Sequence, residues 1–264
     1  MLTRHLFSLD FLAADNFDNI VMDLTENPTP KDKIPVVITP NVDLTVHLNK
    51  NKKLLHALQH SRYILPDGFP IILFSKLLGR PLKKRLAGSD LFPEIWEAVK
   101  NKKQSVFFIA PHQEVKTILE KEYADAQFYI PPFFTETEEN AEQQAQLIFP
   151  LLLQHQPQHI FLGLRYPKQE MLILNLYQMI LDYNNSKPKQ EEIIMPIFYN
   201  LGASYEFYCG LKKRAPKVWQ QFHLEWFYRF LSEPKRTFKR YFWDDLYILI
   251  LFFKEISNNN PVKN

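Results

Sequence analysis

Short runs of β-branched and aromatic residues alternate along this chain with longer segments whose apolar positions recur at helical spacing. Residues 35–39 (PVVIT), 63–65, 105–110 (SVFFIA), 126–130, 159–162 and 193–198 read as buried strands. Helical patterns lie between them, near 42–60, 70–78, 89–101, 112–124, 137–154 and 168–182. A strand that is apolar on both faces must be covered on both faces. The alternation therefore predicts an α/β fold, a Rossmann-like and mostly parallel sheet with helices on both sides. Ligands of such sheets bind beyond the carboxyl ends of the strands. Thr39-Pro40-Asn41, Pro66-Asp67-Gly68 and Gly163-Leu164-Arg165-Tyr166-Pro167 each follow a strand directly. Segments remote in sequence are thus expected to meet at one edge. No internal repeat interrupts the pattern.

Glycine is scarce, six in 264 residues: Gly68, Gly79, Gly88, Gly163, Gly202 and Gly210. A chain so poor in glycine places it where the backbone must turn left-handed or approach a ligand closely. Three of the six fall within residues 66–90, which makes that stretch the first candidate for the rim of a site. The single cysteine, Cys209, excludes an internal disulfide framework and suits a reducing compartment. Residues 1–16 are interrupted by Asp10 and Asp15 and make a poor secretion signal.

The C-terminal part follows another pattern. From Val218 onward no strand signal remains, and Trp219, Phe222, Trp226 and Phe230 recur at helical spacing. Residues 211–240 hold nine of the 32 basic residues and two of the 29 acidic ones, which leaves 23 against 27 and a net of −4 for the rest. That asymmetry points to an anionic partner for the C-terminal part. Residues 246–253 are eight apolar residues in a row, too few for a bilayer span of about 20. Two readings stand: an amphipathic segment lying in a membrane interface, or a helix pair packed on the core. The chain accordingly divides into an α/β domain (1–210), a basic, aromatic helical appendage (211–256) and a disordered tail (257–264), with a polar linker at 184–190.

Several residues carry candidate chemistry. Asp67 stands at a strand end in a stiff Pro-Asp-Gly turn, either as a general base or as a turn residue bonded to its own backbone. Gly88-Ser89-Asp90 opens a helix, whose amino end attracts anions, while Asp90 would cap it. Arg80 and Arg85 nearby are able to neutralise phosphates. Gln169, in the first turn after Pro167, has an amide suited to a sugar or base; otherwise it is solvated. No G-x-G-x-x-G or P-loop occurs, and the eight histidines form no ligand cluster. No Asp-x-Asp occurs anywhere, so the acidic pair that bridges a metal in many nucleotide-sugar enzymes is missing.

Taken in order, Thr39-Pro40-Asn41, Pro66-Asp67-Gly68, the run from Arg85 to Phe92 (RLAGSDLF), Gly163 with Pro167-Lys168-Gln169-Glu170, Gly202-Ala203, Lys213-Arg214-Ala215-Pro216, and Leu224-Glu225-Trp226 with Arg229, Glu233-Pro234 and Arg236 resemble the WecG/TagA/CpsF family of glycosyltransferases (family 26). The likeness covers about residues 36–242. It implies a GT-E type Rossmann-like domain with a C-terminal membrane-binding appendage. It implies an inverting, metal-independent enzyme that needs no cofactor. That enzyme moves a sugar from a UDP-sugar (N-acetylmannosamine, its uronic acid or a glucose-like sugar) to a polyprenyl-diphosphate-linked sugar in cell-envelope polysaccharide synthesis. Asp67 matches the proposed base. Thr39, Asn41, Arg85 and Gln169 match pocket positions, and Gly88, Asp90 and Arg214 fall in the matching motifs. Arg229, Arg236 and Lys239 or Arg240 match basic positions that meet the diphosphate at the membrane. The implied location is cytoplasmic, peripheral on the inner face of the plasma membrane, with no nucleic-acid partner; an exposed appendage also leaves room for an oligomer.

The likeness has gaps. The glycine-rich turn after the third strand is replaced by Phe107-Phe108-Ile109-Ala110-Pro111. An Asp-Gly-Tyr-Phe becomes Pro131-Pro132-Phe133-Phe134, a glycine before Pro167 becomes Arg165-Tyr166, and a Phe-Asp becomes Tyr205-Glu206. These changes are expected to line the donor side. A second reading keeps the fold without the chemistry: a catalytically degenerate membrane-docking protein that uses the basic C-terminal arm.

Overall fold

The computed structural model describes residues 1–216, 219, 225–232 and 245–259. The chain opens with an antiparallel hairpin, β1 (Thr3–Leu6) and β2 (Leu9–Leu12), followed by α1 (Asp18–Glu26). Six parallel strands follow: β3 (Ile34–Ile38), β4 (Ser61–Ile64), β5 (Val106–Ile109), β6 (Gln127–Tyr129), β7 (His159–Leu162) and β8 (Ile197–Asn200). They form one sheet in the order β4-β3-β8-β7-β5-β6. The register is level at the carboxyl end. Ile38 pairs with Ile64 and Asn200, Leu162 with Asn200 and Ile109, and Ile109 with Tyr129. All six strands therefore finish in one row, and the residues that follow them leave the sheet at one edge.

Helices cover both faces, as buried parallel strands require. One face carries α2 (Val42–Lys50), α3 (Lys52–Leu58), α4 (Phe69–Leu77), α7 (Glu138–His155) and α8 (Lys168–Asn185), joined by the hairpin. The other carries α1, α5 (Gly88–Asn101), α6 (Gln113–Glu122) and the short α9 (Ser204–Tyr208). That second core is aromatic: Phe92, Trp96, Phe108, Phe161, Tyr199 and Tyr205 are all buried and pack mostly edge to face.

Four details differ from the sequence reading. The expected helix over 42–60 is two helices, because Asn51 ends α2 and its side chain accepts from the Leu54 amide to start α3 at 3.1 Å. The expected strand over 193–198 begins only at Ile197. Pro196 offers no N–H, and the Asn184 side chain binds both the amide and the carbonyl of Ile193, at 3.0 and 2.9 Å. Asn184 itself closes α8 rather than opening a linker. The N-terminal hairpin adds two strands outside the α/β alternation.

In the C-terminal part, α10 (Glu225–Ser232) and α11 (Tyr247–Asn259) are described. Helix α11 is seated on the domain. Ile248 and Leu251 are buried, Phe252 lies 4.9 Å from Phe74, and Glu255 accepts from the Phe7 amide and from Arg80, both at 2.8 Å. Its other side exposes Leu249, Ile250 and Phe253. Residues 257–259 of the expected tail belong to this helix, and 260–264 lie outside the described residues. Among the described residues no helix is long and apolar enough to cross a bilayer.

Candidate active site

The level strand ends bring the candidate residues together by construction. Thr39 and Asn41 follow β3, and Asp67 follows the adjacent β4. The two turns are stitched: the Asp67 amide donates to the Pro40 carbonyl at 3.1 Å, and the Leu86 amide to the Pro66 carbonyl at 2.8 Å. Gly68, at φ +115°, makes the turn that sends the chain into α4, with Asn41 Cβ 3.8 Å from where its own Cβ would lie. Asn41 spends its side-chain oxygen on the Leu44 amide at 2.9 Å, as the N-cap of α2. Gly88 starts α5 with no room to spare. A Cβ there would lie 3.0 Å from Thr39 Oγ1 and 3.1 Å from Ser204 Oγ. Thr39, Asn41, Asp67, Gly88 and Ser204 thus share one small region above β4, β3 and β8.

A charged quartet sits beside it. Arg85 reaches Glu225 at 3.0 Å and Asp90 at 3.2 Å; Arg214 reaches Asp90 at 2.5 and 3.3 Å and Glu225 at 3.4 Å. Asp90 is therefore not the cap expected of it. Ala87 is the N-cap of α5 with no side-chain bond, and the Asp90 carboxylate turns to the two arginines. Burial alone would raise the Asp90 carboxyl, but hydrogen bonds and charge from Arg214, then Arg85, hold it below its ordinary value. Burial likewise opposes the Arg85 charge, yet the carboxylates of Asp67, Glu225 and Asp90 raise its hold on the proton. Asp67 stands first among those carboxylates, so the candidate base and Arg85 feel each other directly. Glu225 is the first residue of α10, and through it the C-terminal segment rests on the site.

Gln169 joins the same edge from α8 but turns inward. Its amide N–H donates to Glu170 Oε1 at 3.3 Å, and the same oxygen accepts from Asn200, the last residue of β8, at 2.9 Å. Glu170 is fully buried and Gln169 nearly so; Glu170 Oε2 and Gln169 Oε1 have no partner. Gln169 is thus not a solvated first-turn residue. Burial pushes the Glu170 carboxyl up, offset only in part by Asn200.

Other expectations resolve differently. Arg80 belongs to the Glu255 and His5 contacts, not to the quartet. Tyr205, expected on the donor side, is core: it is buried against Phe92 at 4.7 Å and donates to the Tyr199 carbonyl at 3.3 Å. Tyr166 stacks on His47 at 4.8 Å, and burial pushes its phenol up to about 12. Arg229 lies on α10, while Arg236, Lys239 and Arg240 lie outside the described residues. Ser204 and Asn200 were not singled out beforehand, and Glu170 and Glu225 stood in the family-like motifs with no role of their own. The strand run over 197–199 ending in a polar Asn200 was the available sign for one of them. Among the described residues no three His, Cys, Asp or Glu side chains are grouped to hold a metal ion.

A cleft of about 660 Å³ lies at the opposite, amino-terminal end of the sheet, around Arg62, His159 and Gln104. Its polar groups serve the fold. Arg62 donates to Asp23 at 2.6 and 3.1 Å and to the Asn27 carbonyl. The His159 ring sits between Tyr199 and Gln104, and burial pushes its pKa down to about 3, so it is neutral.

A sequence profile of the Glycosyl transferase WecG/TagA/CpsF family matches residues 6–261. The chain is also 29% identical over 242 residues to an N-acetylglucosaminyldiphosphoundecaprenol N-acetyl-beta-D-mannosaminyltransferase of Bacillus spizizenii, covering 89% of this chain and 86% of that protein. It is 26% identical over 234 residues to the protein of the same name from Staphylococcus aureus, covering 86% of each.

Proposed function

Since the chain belongs to the WecG/TagA/CpsF family of glycosyltransferases, we propose that it transfers a sugar from a UDP-sugar to a sugar carried on a polyprenyl diphosphate, inverting the anomeric carbon and using no metal. The observation that carries this is the juxtaposition of Asp67, in the turn after β4, with Arg85, in the segment before α5 that the Leu86 amide ties to the Pro66 carbonyl. Asp67 takes the proton of an acceptor hydroxyl as that oxygen bonds to the anomeric carbon. The bond from that carbon to the phosphate oxygen breaks at the same time, and UDP leaves with the electron pair. Attack from the face opposite the leaving group gives inversion. Arg85 and Arg214 stabilise the charge that develops on the diphosphate.

The relatives' names favour N-acetylmannosamine as the sugar moved and an N-acetylglucosaminyl diphosphate lipid as acceptor. Such an acceptor lies in a membrane. The exposed Leu249, Ile250 and Phe253 of α11 and the basic residues of 211–240 support peripheral docking at the inner face. The test is UDP release across a panel of UDP-sugars with a synthetic N-acetylglucosaminyl diphosphate lipid. UDP release that depends on the acceptor supports the reading. No acceptor-dependent release with any donor, together with a melting temperature that UDP leaves unmoved, overturns it.

A further inference from the structure

Phe133 is the most exposed large apolar residue described, at 90%. It occupies the loop after β6, on the carboxyl edge of the sheet that carries the candidate site. The loop is built to hold the ring out. Pro131 and Pro132 fix the backbone before it. Phe134, 8% exposed, anchors the loop after it, and Asn140 of α7 donates to Thr135 beyond. The Lys168 ammonium lies 4.7 Å from the centre of the Phe133 ring and 4.9 Å from that of Phe134. Lys168 is the first residue of α8, next to Gln169, whose neighbour Glu170 is bonded to Asn200 at the end of β8. An aromatic ring and a cation are therefore fixed together on the carboxyl rim: the ring on the loop after the edge strand β6, the cation after β7, which β8 separates from β3, the strand before Thr39.

That pair has a definite chemistry. A large ring left in water gains by covering its open face, and an ammonium held at a ring keeps donors for a phosphate. A hexose offers a flat face of C–H groups, and a sugar diphosphate adds the anion beside it. A lipid chain is the poorer match. Phe133 stands alone among exposed Pro132 and Thr135, with a cation against it, whereas the apolar surface suited to acyl chains lies on α11. We propose that Phe133 and Lys168 form a platform for the sugar-diphosphate part of a substrate, the ring covering a sugar face and the ammonium meeting a phosphate. The proposal rests on the glycosyltransferase reading and adds a specificity position to it.

Donor and acceptor both contain a sugar diphosphate, so the experiment has two arms. Wild type, Phe133→Ala, Phe133→Trp and Lys168→Gln are titrated with UDP-N-acetylglucosamine or another accepted UDP-sugar, and separately with a short-chain N-acetylglucosaminyl diphosphate. Free UDP serves as a sugarless control. The expected result is that Phe133→Ala and Lys168→Gln weaken one of the two sugar diphosphates about fivefold or more. Phe133→Ala should leave UDP affinity as in wild type, Lys168→Gln should weaken UDP only if the donor is the ligand, melting temperatures should stay unchanged, and Phe133→Trp should restore the affinity. The arm that weakens identifies donor or acceptor. If wild type binds and Phe133→Ala matches it in both arms, or Phe133→Trp binds as poorly as Phe133→Ala, the platform is wrong and the enzyme reading stands. If wild type binds neither sugar diphosphate, both fall.

Discussion

The amide of Asp67 is hydrogen-bonded to the carbonyl of Pro40 at 3.1 Å, so the candidate base is fixed by the turn that carries Thr39 and Asn41. That bond is made by the backbone and not by the Asp67 carboxylate. Asp67→Asn should keep the turn and lose the base. We expect turnover to fall about 10²–10⁴-fold, with UDP affinity within about twofold of wild type and an unchanged melting curve. Acceptor-dependent UDP release by Asp67→Asn at the wild-type rate would exclude Asp67 as the base.

The quartet makes a prediction of opposite signs. Arg85 and Arg214 are each engaged by Asp90 and Glu225, so a diphosphate must compete with two carboxylates for two guanidiniums. Arg85→Ala removes a cation from the leaving group and should lower kcat by about 10²–10³-fold. Glu225→Gln removes a competitor and should tighten UDP binding, most clearly at low salt, where exposed charge is least screened. Acceptor-dependent UDP release measures the first, and calorimetric titration of UDP the second. Weaker UDP binding by Glu225→Gln would mean that Glu225 holds the site together rather than occupying its cations.

The central sheet was legible because parallel strands buried on both faces are written as uninterrupted apolar runs, and SVFFIA or HIFL needs no context. The hairpin was not. Its two-residue turn places Phe7 and Ser8 at φ 54° and 64°, a conformation usually announced by Asn-Gly or Asp-Gly and here adopted by residues with no such preference. The candidate site was legible through turns that follow strands, which gave Thr39, Asn41 and Asp67, and through a helix opening, which gave Gly88. Partners set by tertiary placement were not, because nothing local tells that Glu225 meets Arg85 across 140 residues or that Asp90 turns from its helix to Arg214. Tyr205 was misread for the same reason: a motif position three residues after a glycine looks like a site, and only packing reveals it as core.

Gly88 and Gly163 are tight for different neighbours. A Cβ on Gly163 would meet Pro111 Cδ at 2.8 Å and Tyr205 Cδ2 at 3.0 Å, both rigid and one of them in the aromatic core. Gly163→Ala should therefore destabilise by about 1–3 kcal/mol. A Cβ on Gly88 would meet two hydroxyls, Thr39 Oγ1 and Ser204 Oγ, and Leu201 Cδ2 at 3.3 Å. Hydroxyls rotate away more readily than a proline ring moves. Gly88→Ala should lower activity more than stability, by displacing Thr39 from its place. Comparing melting temperature with turnover for the two variants checks this; an equal loss of stability in both would remove the distinction.

Glu170 gives the pH prediction. Its fully buried carboxyl titrates above the ordinary value of 4.5, because burial penalises the charge more than Asn200 and Gln169 support it. Between the unfolded and folded pKa values the unfolded chain has released a proton that the folded chain keeps. The stability linked to this group is therefore complete below the unfolded value and is lost as pH rises through the folded one. Glu170→Gln copies the neutral acid, keeps an oxygen for Asn200 and has nothing to ionise. Relative to wild type, its melting temperature should gain as pH is raised above 4.5, levelling off beyond the folded pKa. Glu170→Ala leaves the Asn200 and Gln169 donors without their acceptor and should lose about 1–3 kcal/mol at every pH. Parallel melting curves for wild type and Glu170→Gln above pH 4.5 would show that Glu170 does not titrate there.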